Sequence, residues 1–313
     1  MKKRILFTVK TGFLLLFVLS LFATLLQFAG KSNPLTRFNQ KPPVYNRVES
    51  FDPTLARLNS VQKLEQYCDS VYSERILIDN TTNFERTYTD VVSEVVRNRF
   101  YHGYSAYGYS DNYLASTIAL VTISGLNSLV IPDEIMKYSY AACSQQAIIE
   151  MQVLEDKGFK TRKILFHGKT YGGHFAFEVF YEGGWHFHDP NMEPDKALLA
   201  SYGMPNIDFL GHHPDLIVKA YNRYPREQIL DIIPNYSYGP VNTFPAKKAM
   251  IFHKATKFLS YTIWLFFLAG FVVTGRAYRR VKSKRAVHAM APVRQLKPAA
   301  ATIFYPEYNM QGK

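Results

Sequence analysis

The sequence predicts an α+β domain carried between two membrane-spanning helices. Three observations predict it. Two charge-free apolar runs of 18 residues, Phe13–Gly30 and Phe258–Gly275, stand near the ends of the 313-residue chain. A helix signature over 143–158 is followed by three strand patterns that end at Pro190. The stretch between Pro53 and Met136 reads as helical, with apolar residues at helical rather than alternating spacing.

The formal charge of +12 is unevenly placed. Residues 1–30 hold four cations and no acid, residues 31–257 hold 24 of each sign, and residues 276–313 hold nine cations and one acid. The excess therefore flanks the two apolar runs, and the neutral middle offers no basic surface for nucleic acid. Each run is about long enough to cross hydrocarbon, which takes ~20 helical residues, and Lys10 can snorkel at the edge of the first. Positive flanks stay cytoplasmic. The expected order is a cytoplasmic N-terminus (1–10), a first span (11–30), an extracytoplasmic middle, a second span (258–275) and a basic cytoplasmic tail (276–313). A cleaved signal peptide is the competing reading of the first run, although Gln27 and Ala29 make a poor small-x-small cleavage site. A buried core helix is the competing reading of the second; Tyr261, Trp264 and the basic run after it suit a membrane segment better.

Residues 31–53 contain Pro34, Pro42, Pro43 and Pro53 and read as a linker. A helical subdomain is expected over 54–137, with helices at 54–73 and 85–100 and a third starting near Asp111 as N-cap. The core, with a loop-rich C-terminal extension, is expected over 138–250. Its first element is a helix from Cys143 in which Ala147, Ile148, Met151 and Leu154 share a face, and Gly158 sits where a left-handed C-terminal cap belongs. Strands follow at Thr161–His167, from His174, and at Trp185–Asp189. If Glu182-Gly183 is a two-residue loop, residues pair so that their numbers sum to 365, and Asp189 faces Ala176. His174 is then a diagonal neighbour on the same face, ~7–8 Å away at the backbone. A one-residue slip would separate the two. Seven prolines between 192 and 250 predict loops with short helices.

Cysteine, histidine and aspartate on a helix start and two adjacent strands are the parts of an activated thiol nucleophile. At a helix N-terminus the partial positive charge favours the thiolate. The set Cys143, Gly158, Arg162, His174, Trp185, Asp189 and Pro190 resembles, over roughly 50 residues, the core of the transglutaminase-like family within the papain-like cysteine peptidase superfamily. The resemblance implies a nucleophile helix packed on an antiparallel sheet, a Cys143–His174–Asp189 triad, and amide-bond chemistry on a peptide or protein without a cofactor. Calcium, used by some animal members, has no recognisable loop here. By analogy with membrane-anchored members, the expected setting is a bacterial inner membrane with a periplasmic domain acting on an amide substrate, a cell-envelope component among the candidates. The alternative is an inactive domain of the same type that binds or scaffolds in envelope or polysaccharide assembly.

Other features have plainer readings beside functional ones. Cys68 reads as a small buried apolar residue. His186 and His188 could hold a metal but alternate away from the triad, and surface or partly buried histidines are expected; His212-His213 lies in a Pro-rich loop. Tyr101, Tyr104, Tyr107, Tyr109 and Tyr113 could line a groove or simply pack. Gln145 and Gln146 read as polar helix positions. Asn80 and Asn235 begin N-x-S/T sequons, which matter only in a glycosylating host.

Overall fold

The structure is a computed structural model that describes residues 2–31, 50–79, 83–123 and 125–289. The rest of the linker, the Asn80 sequon and the tail beyond 289 lie outside the described residues. The protein mixes helix and sheet, and the chain divides into two compact units, Ser20–Ile263 and a second built from Met1–Leu19 and Trp264–Lys313.

Two long helices, α1 (Lys2–Lys31) and α11 (Lys247–Ala289), run through both units: the second unit holds α1 up to Leu19 and α11 from Trp264, and their other ends belong to the larger one. Both are long and apolar enough to cross a membrane. Only 6% and 11% of their apolar windows are buried, so neither is a core helix. Phe13 meets Phe266 edge-on at 6.4 Å, and Gly270 lets the Phe13 ring lie where a Cβ would clash at 2.5 Å. The Lys10 ammonium sits 5.1 Å over the Phe271 ring.

After α1, the larger unit continues with a 3-10 turn, Pro53–Arg57, capped by Asp52 Oδ1 accepting from Thr54 N at 2.8 Å. The helix expected at 54–73 is thus two elements, because the chain breaks at Leu58–Ser60 before α2 (Val61–Asp79). α3 (Phe84–Arg99) is capped by Asn83, whose Oδ1 accepts from Arg86 N at 3.1 Å. α4 (Tyr109–Val121) is a single turn followed, across a break at Asn112 (φ -159°, ψ 80°), by the continuous helix, which Asn112 Oδ1 caps by accepting from Ala115 N at 3.2 Å, so the helix starts close to the expected Asp111. The N-cap of the first turn is Gly108, and Asp111 sits in that turn, where Oδ2 accepts from Gly108 N. α5 (Pro132–Ile135) is short. Two-residue strands β1 (Tyr101–His102) and β2 (Tyr140–Ala141) pair in parallel and lead into α6 (Cys143–Asp156). Gly158 closes α6 at φ +88°, the expected left-handed cap, and the Phe159 N–H reaches Leu154 O.

The main sheet is antiparallel, ordered β5–β4–β3–β6, with β3 at Lys160–His167, β4 at Gly173–Tyr181, β5 at Gly184–His188 and β6 at Tyr236–Tyr238. Glu182 (φ 49°) and Gly183 (φ 78°) are both left-handed, as a two-residue hairpin of the twist-matching kind requires. The register follows: Phe177 pairs with His188, Val179 with His186 and Tyr181 with Gly184. α6 packs on one face of the sheet through Ile148, Met151, Phe177 and Val179, in a core shared with α2 and α3. The other face, carrying Ile164, Phe166, Ala176 and Phe187, is covered by the short helices α7 (Lys196–Ser201), α8 (Ile207–Gly211), α9 (Pro214–Ala220) and α10 (Arg226–Ile232).

Arg99, fully buried at the end of α3, ties the helical part together. Its guanidinium donates to Leu58 O (3.1 Å), Tyr138 O (3.0 Å) and Met136 O (3.0 Å). Burial lowers its pKa to about 9, which still leaves it charged at neutral pH.

Candidate active site

Cys143 opens α6 after Ala142, whose extended backbone (ψ 169°) ends the β2 connection. The helix start is fixed by Gln145, which is buried. Its Oε1 accepts from Ala142 N (3.0 Å), Ser105 N (3.1 Å) and Ser105 Oγ (3.1 Å), and its Nε2 donates to Ser105 O (2.7 Å) and Leu129 O (2.8 Å). Gln145 is therefore more than a polar helix position: one amide joins the turn that carries Cys143 to two other segments. Gln146 Nε2 adds a bond to Ala141 O at 3.0 Å.

The structure brings Cys143, His174 and Asp189 together. His174, second in β4 and 6% exposed, places Nε2 2.7 Å from Asp189 Oδ2. The imidazole and the Cys143 thiol line the same cleft, and the histidine acts electrostatically on the sulfur. Phe166, cross-strand from His174, stacks on the imidazole at 5.9 Å and holds its plane.

The electrostatics follow from burial and pairing. Burial alone would raise the Cys143 thiol, but the neighbouring His174 outweighs it, and the thiol lies below its ordinary value. For His174, burial disfavours the cation, yet the Asp189 carboxylate 2.7 Å away wins and lifts the imidazole to about 10. Asp189 is pushed up by burial and pulled down further by His174 and its other donors, so it stays ionised. Both shifts favour a thiolate–imidazolium pair.

Asp189 has a socket that the sequence did not disclose. Oδ1 accepts from Asn191 N and Met192 N, both at 3.1 Å, while Oδ2 is shared by His174 and the Tyr221 hydroxyl at 2.8 Å. Tyr221, at the end of α9 and fully buried, spends its proton there; burial and the Asp189 charge raise its pKa well above the usual phenol value. A tyrosine 32 residues beyond Asp189 left no local signal.

A cleft of about 330 Å³ opens over the sulfur, with His102, Tyr104, Tyr171, Asn191, Tyr224 and Gln228 around it. The His102 Nδ1 meets the Asn191 carboxamide at 3.0–3.1 Å. Of the five clustered tyrosines, Tyr104 lines this cleft; Tyr101, Tyr107 and Tyr113 are buried and Tyr109 is exposed elsewhere. One wall is the 168–172 loop, whose Lys169, Thr170 and Tyr171 N–H groups donate to Asp231. Gly168 allows that loop to close, since a Cβ there would sit 2.2 Å from Gly172 O.

Arg162 and Trp185 are not brought to the sulfur. The Arg162 guanidinium lies between the Trp185 ring (4.3 Å) and the Tyr238 ring (3.9 Å) and pairs with the buried Glu178 through two nitrogens, at 2.7 and 2.6 Å. This set braces β3, β4 and β5. His186 and His188 occupy the sheet face opposite Asp189, as their alternation requires. His188 is fully buried, however, not partly exposed: it stacks on Phe177 and lies 3.5 Å from Glu150 of α6. Cys68 is buried in the α2–α6 core, and burial pushes its thiol up to about 12. Among the described residues, no cluster of histidine, cysteine, aspartate and glutamate is arranged to hold a metal ion.

No family model matches the chain, no curated protein matches it, and no solved structure matches it.

Proposed function

We propose that this chain is a membrane-anchored thiol enzyme of transglutaminase-like type that cleaves or transfers amide bonds of a peptide or protein. The observation that carries this reading is the placement of the Cys143 thiol and His174 on one cleft, with His174 hydrogen-bonded to the socketed Asp189. The papain-like core is part of the proposal, supported by a cysteine at the start of a helix that packs on an antiparallel sheet bearing the histidine and aspartate.

The thiolate of Cys143 adds to the amide carbonyl carbon and the carbonyl π pair moves to oxygen. The oxyanion finds donors in the first turn of α6, where N–H groups have no intrahelical acceptor. His174, protonated, gives its proton to the leaving nitrogen as the C–N bond breaks, leaving a thioester on Cys143. Water or an amine then adds to the thioester, His174 takes its proton, and the thiolate leaves. Asp189 keeps the imidazole oriented and favours its cationic form; it does not itself take up the proton. His102, Tyr104 and Asn191 are placed to contact the groups flanking the scissile bond.

The test is alkylation by iodoacetamide across pH in detergent-solubilised full-length protein. Cys143 is expected to react much faster than Cys68 near pH 6, and His174→Ala to move its apparent pKa back towards ~8.5. A wild-type Cys143 that titrates near ~8.5 and ignores His174 would favour an inactive binding domain instead.

The same proposal places α1 and α11 across a bacterial inner membrane, both termini inside and the cleft in the periplasm, on the strength of their length and the distribution of charge. A reporter active only in the periplasm should give signal when fused after residue 250 and none when fused after Arg285; signal at Arg285 refutes the topology.

A further inference from the structure

We propose that the last residues of α4 and the turn after it, residues 120–123, insert into the lipid interface beside the two spanning helices, as a third attachment of the domain to its membrane. The inference rests on the membrane-spanning reading of α1 and α11.

Sequence and structure both point to it. No charged residue occurs between Asp111 and Asp133, a stretch that includes Leu114, Ile118, Leu120, Val121, Ile123 and Leu126. A segment so poor in charge would ordinarily fold into a core. Here its first half packs inward, with Tyr113, Ala115 and Ser116 buried, and its second half does not. Leu120 is 76% exposed, Val121 71% and Ile123 65%. Three large aliphatic side chains in four residues form an apolar knuckle, the kind of surface that marks a partner or a membrane.

What chooses the membrane is where the knuckle is pinned. Asp111 O accepts from Gln27 Nε2 of α1 at 2.8 Å and from Lys257 Nζ of α11 at 2.5 Å. Asn112 Nδ2 donates to Thr256 Oγ1 at 2.9 Å. On the far side of the knuckle, His253 Nε2 donates to Leu126 O at 2.8 Å. Gln27 lies three residues before the end of the first apolar run, and Lys257 immediately precedes Phe258, where the second begins. Both ends of the segment are thus fastened at the level where the spans leave the hydrocarbon, and the uncovered aliphatic residues lie between those fastenings. The exposed Tyr109 and Phe28 stand in the same neighbourhood, the depth that amphipathic aromatic rings favour. Apolar side chains placed there enter the headgroup–acyl boundary to a depth of ~5–10 Å. With two helices alone the domain could rock on its stalks; a third contact fixes its tilt and the direction in which the Cys143 cleft opens.

The test uses full-length protein in phosphatidylcholine–phosphatidylglycerol nanodiscs, in a Cys143→Ser background with the buried Cys68 retained. Leu120→Cys, Val121→Cys and Ile123→Cys are labelled one at a time with an environment-sensitive nitrobenzoxadiazole maleimide. Two reference sites are Leu265→Cys, inside the α11 span, and Leu77→Cys, at the end of α2 remote from the Val61–Asp133 contact. The expected result is blue-shifted emission at 120, 121 and 123, strong quenching by doxyl-labelled lipid and protection from iodide. Position 77 should respond to iodide alone. Quenching at 265 with none at 120–123 would overturn the insertion and leave the spans standing. Absence of lipid quenching at 265 as well would overturn both readings. Labels at 120–123 shielded from iodide and from doxyl lipid alike would point to a protein partner and also overturn the proposal.

Discussion

Replacing Gln145 by leucine should cost the protein far more than a surface helix position would. The change keeps the side-chain volume roughly constant and removes both ends of the amide. Ser105 O retains the Leu129 N–H at 3.0 Å. The N–H groups of Ser105 and Ala142 and the carbonyl of Leu129 lose the bonds described above. A buried backbone group left unpaired costs about 1–3 kcal/mol, so three of them, less the gain from burying a leucine, give roughly 3–6 kcal/mol. Cys68 supplies the readout, because its thiol is fully buried and reacts only when the α2–α6 core opens. In a Cys143→Ser background, with opening in rapid equilibrium, the alkylation rate of Cys68 follows the opening constant. At about 1.4 kcal/mol per decade, Gln145→Leu should speed it by ~10²–10⁴. Gln145→Glu keeps the acceptor oxygen and, when protonated, one donor, so it should recover part of the loss at acidic pH. A change under about tenfold for Gln145→Leu would mean that water satisfies these groups or that the network is looser than its distances imply.

Two further outcomes follow from buried charge. Arg99→Met leaves three carbonyls without the guanidinium and should lower stability by about 3 kcal/mol or more, with Arg99→Lys intermediate, measured as denaturant midpoints; equal midpoints for all three proteins would refute the clamp. His174 has a folded pKa of about 10 against ~6.5 unfolded, so its stabilisation is complete below ~6.5 and is lost as pH rises through 10. The stability gap between wild type and His174→Gln should therefore be widest at mildly acidic pH and narrow on the alkaline side; a gap that widens above neutrality would show that His174 is not held as a cation.

How much was legible in the sequence depended on distance along the chain. The α6 helix was readable because its apolar face, the cysteine at its start and the cap at Gly158 all lie within sixteen residues. The hairpin register was readable because Glu182-Gly183 forces a two-residue loop, and that one turn sets every pair out to Phe177–His188, with Asp189 the next residue. The alternation of a strand fixed His186 and His188 on the face away from Asp189. It could not say whether that face met water, and His188 is buried because α6 lies over it with Glu150. The third helix was expected near Asp111, and the chain takes one turn from Tyr109 before a break at Asn112, whose Oδ1 accepts from Ala115 N and caps the continuous helix beyond it; aspartate and asparagine serve alike at such starts, so the sequence placed the start to within a residue but not the extra turn.

By itself, then, the sequence determined what short-range physics can determine: two apolar helices with basic flanks, a cysteine at a helix N-terminus, and a histidine and an aspartate near one hairpin. The tertiary structure alone decided what surrounds them. Tyr221 reaches Asp189 across a helical connection, Asp231 fastens the cleft wall from α10, Gln145 joins segments centred on 105, 129 and 142, and β6 completes the sheet beside β3. Those contacts join residues tens of positions apart. Their formation rests on the balance of burial and hydrogen bonding over the whole domain, which no local window of sequence encodes.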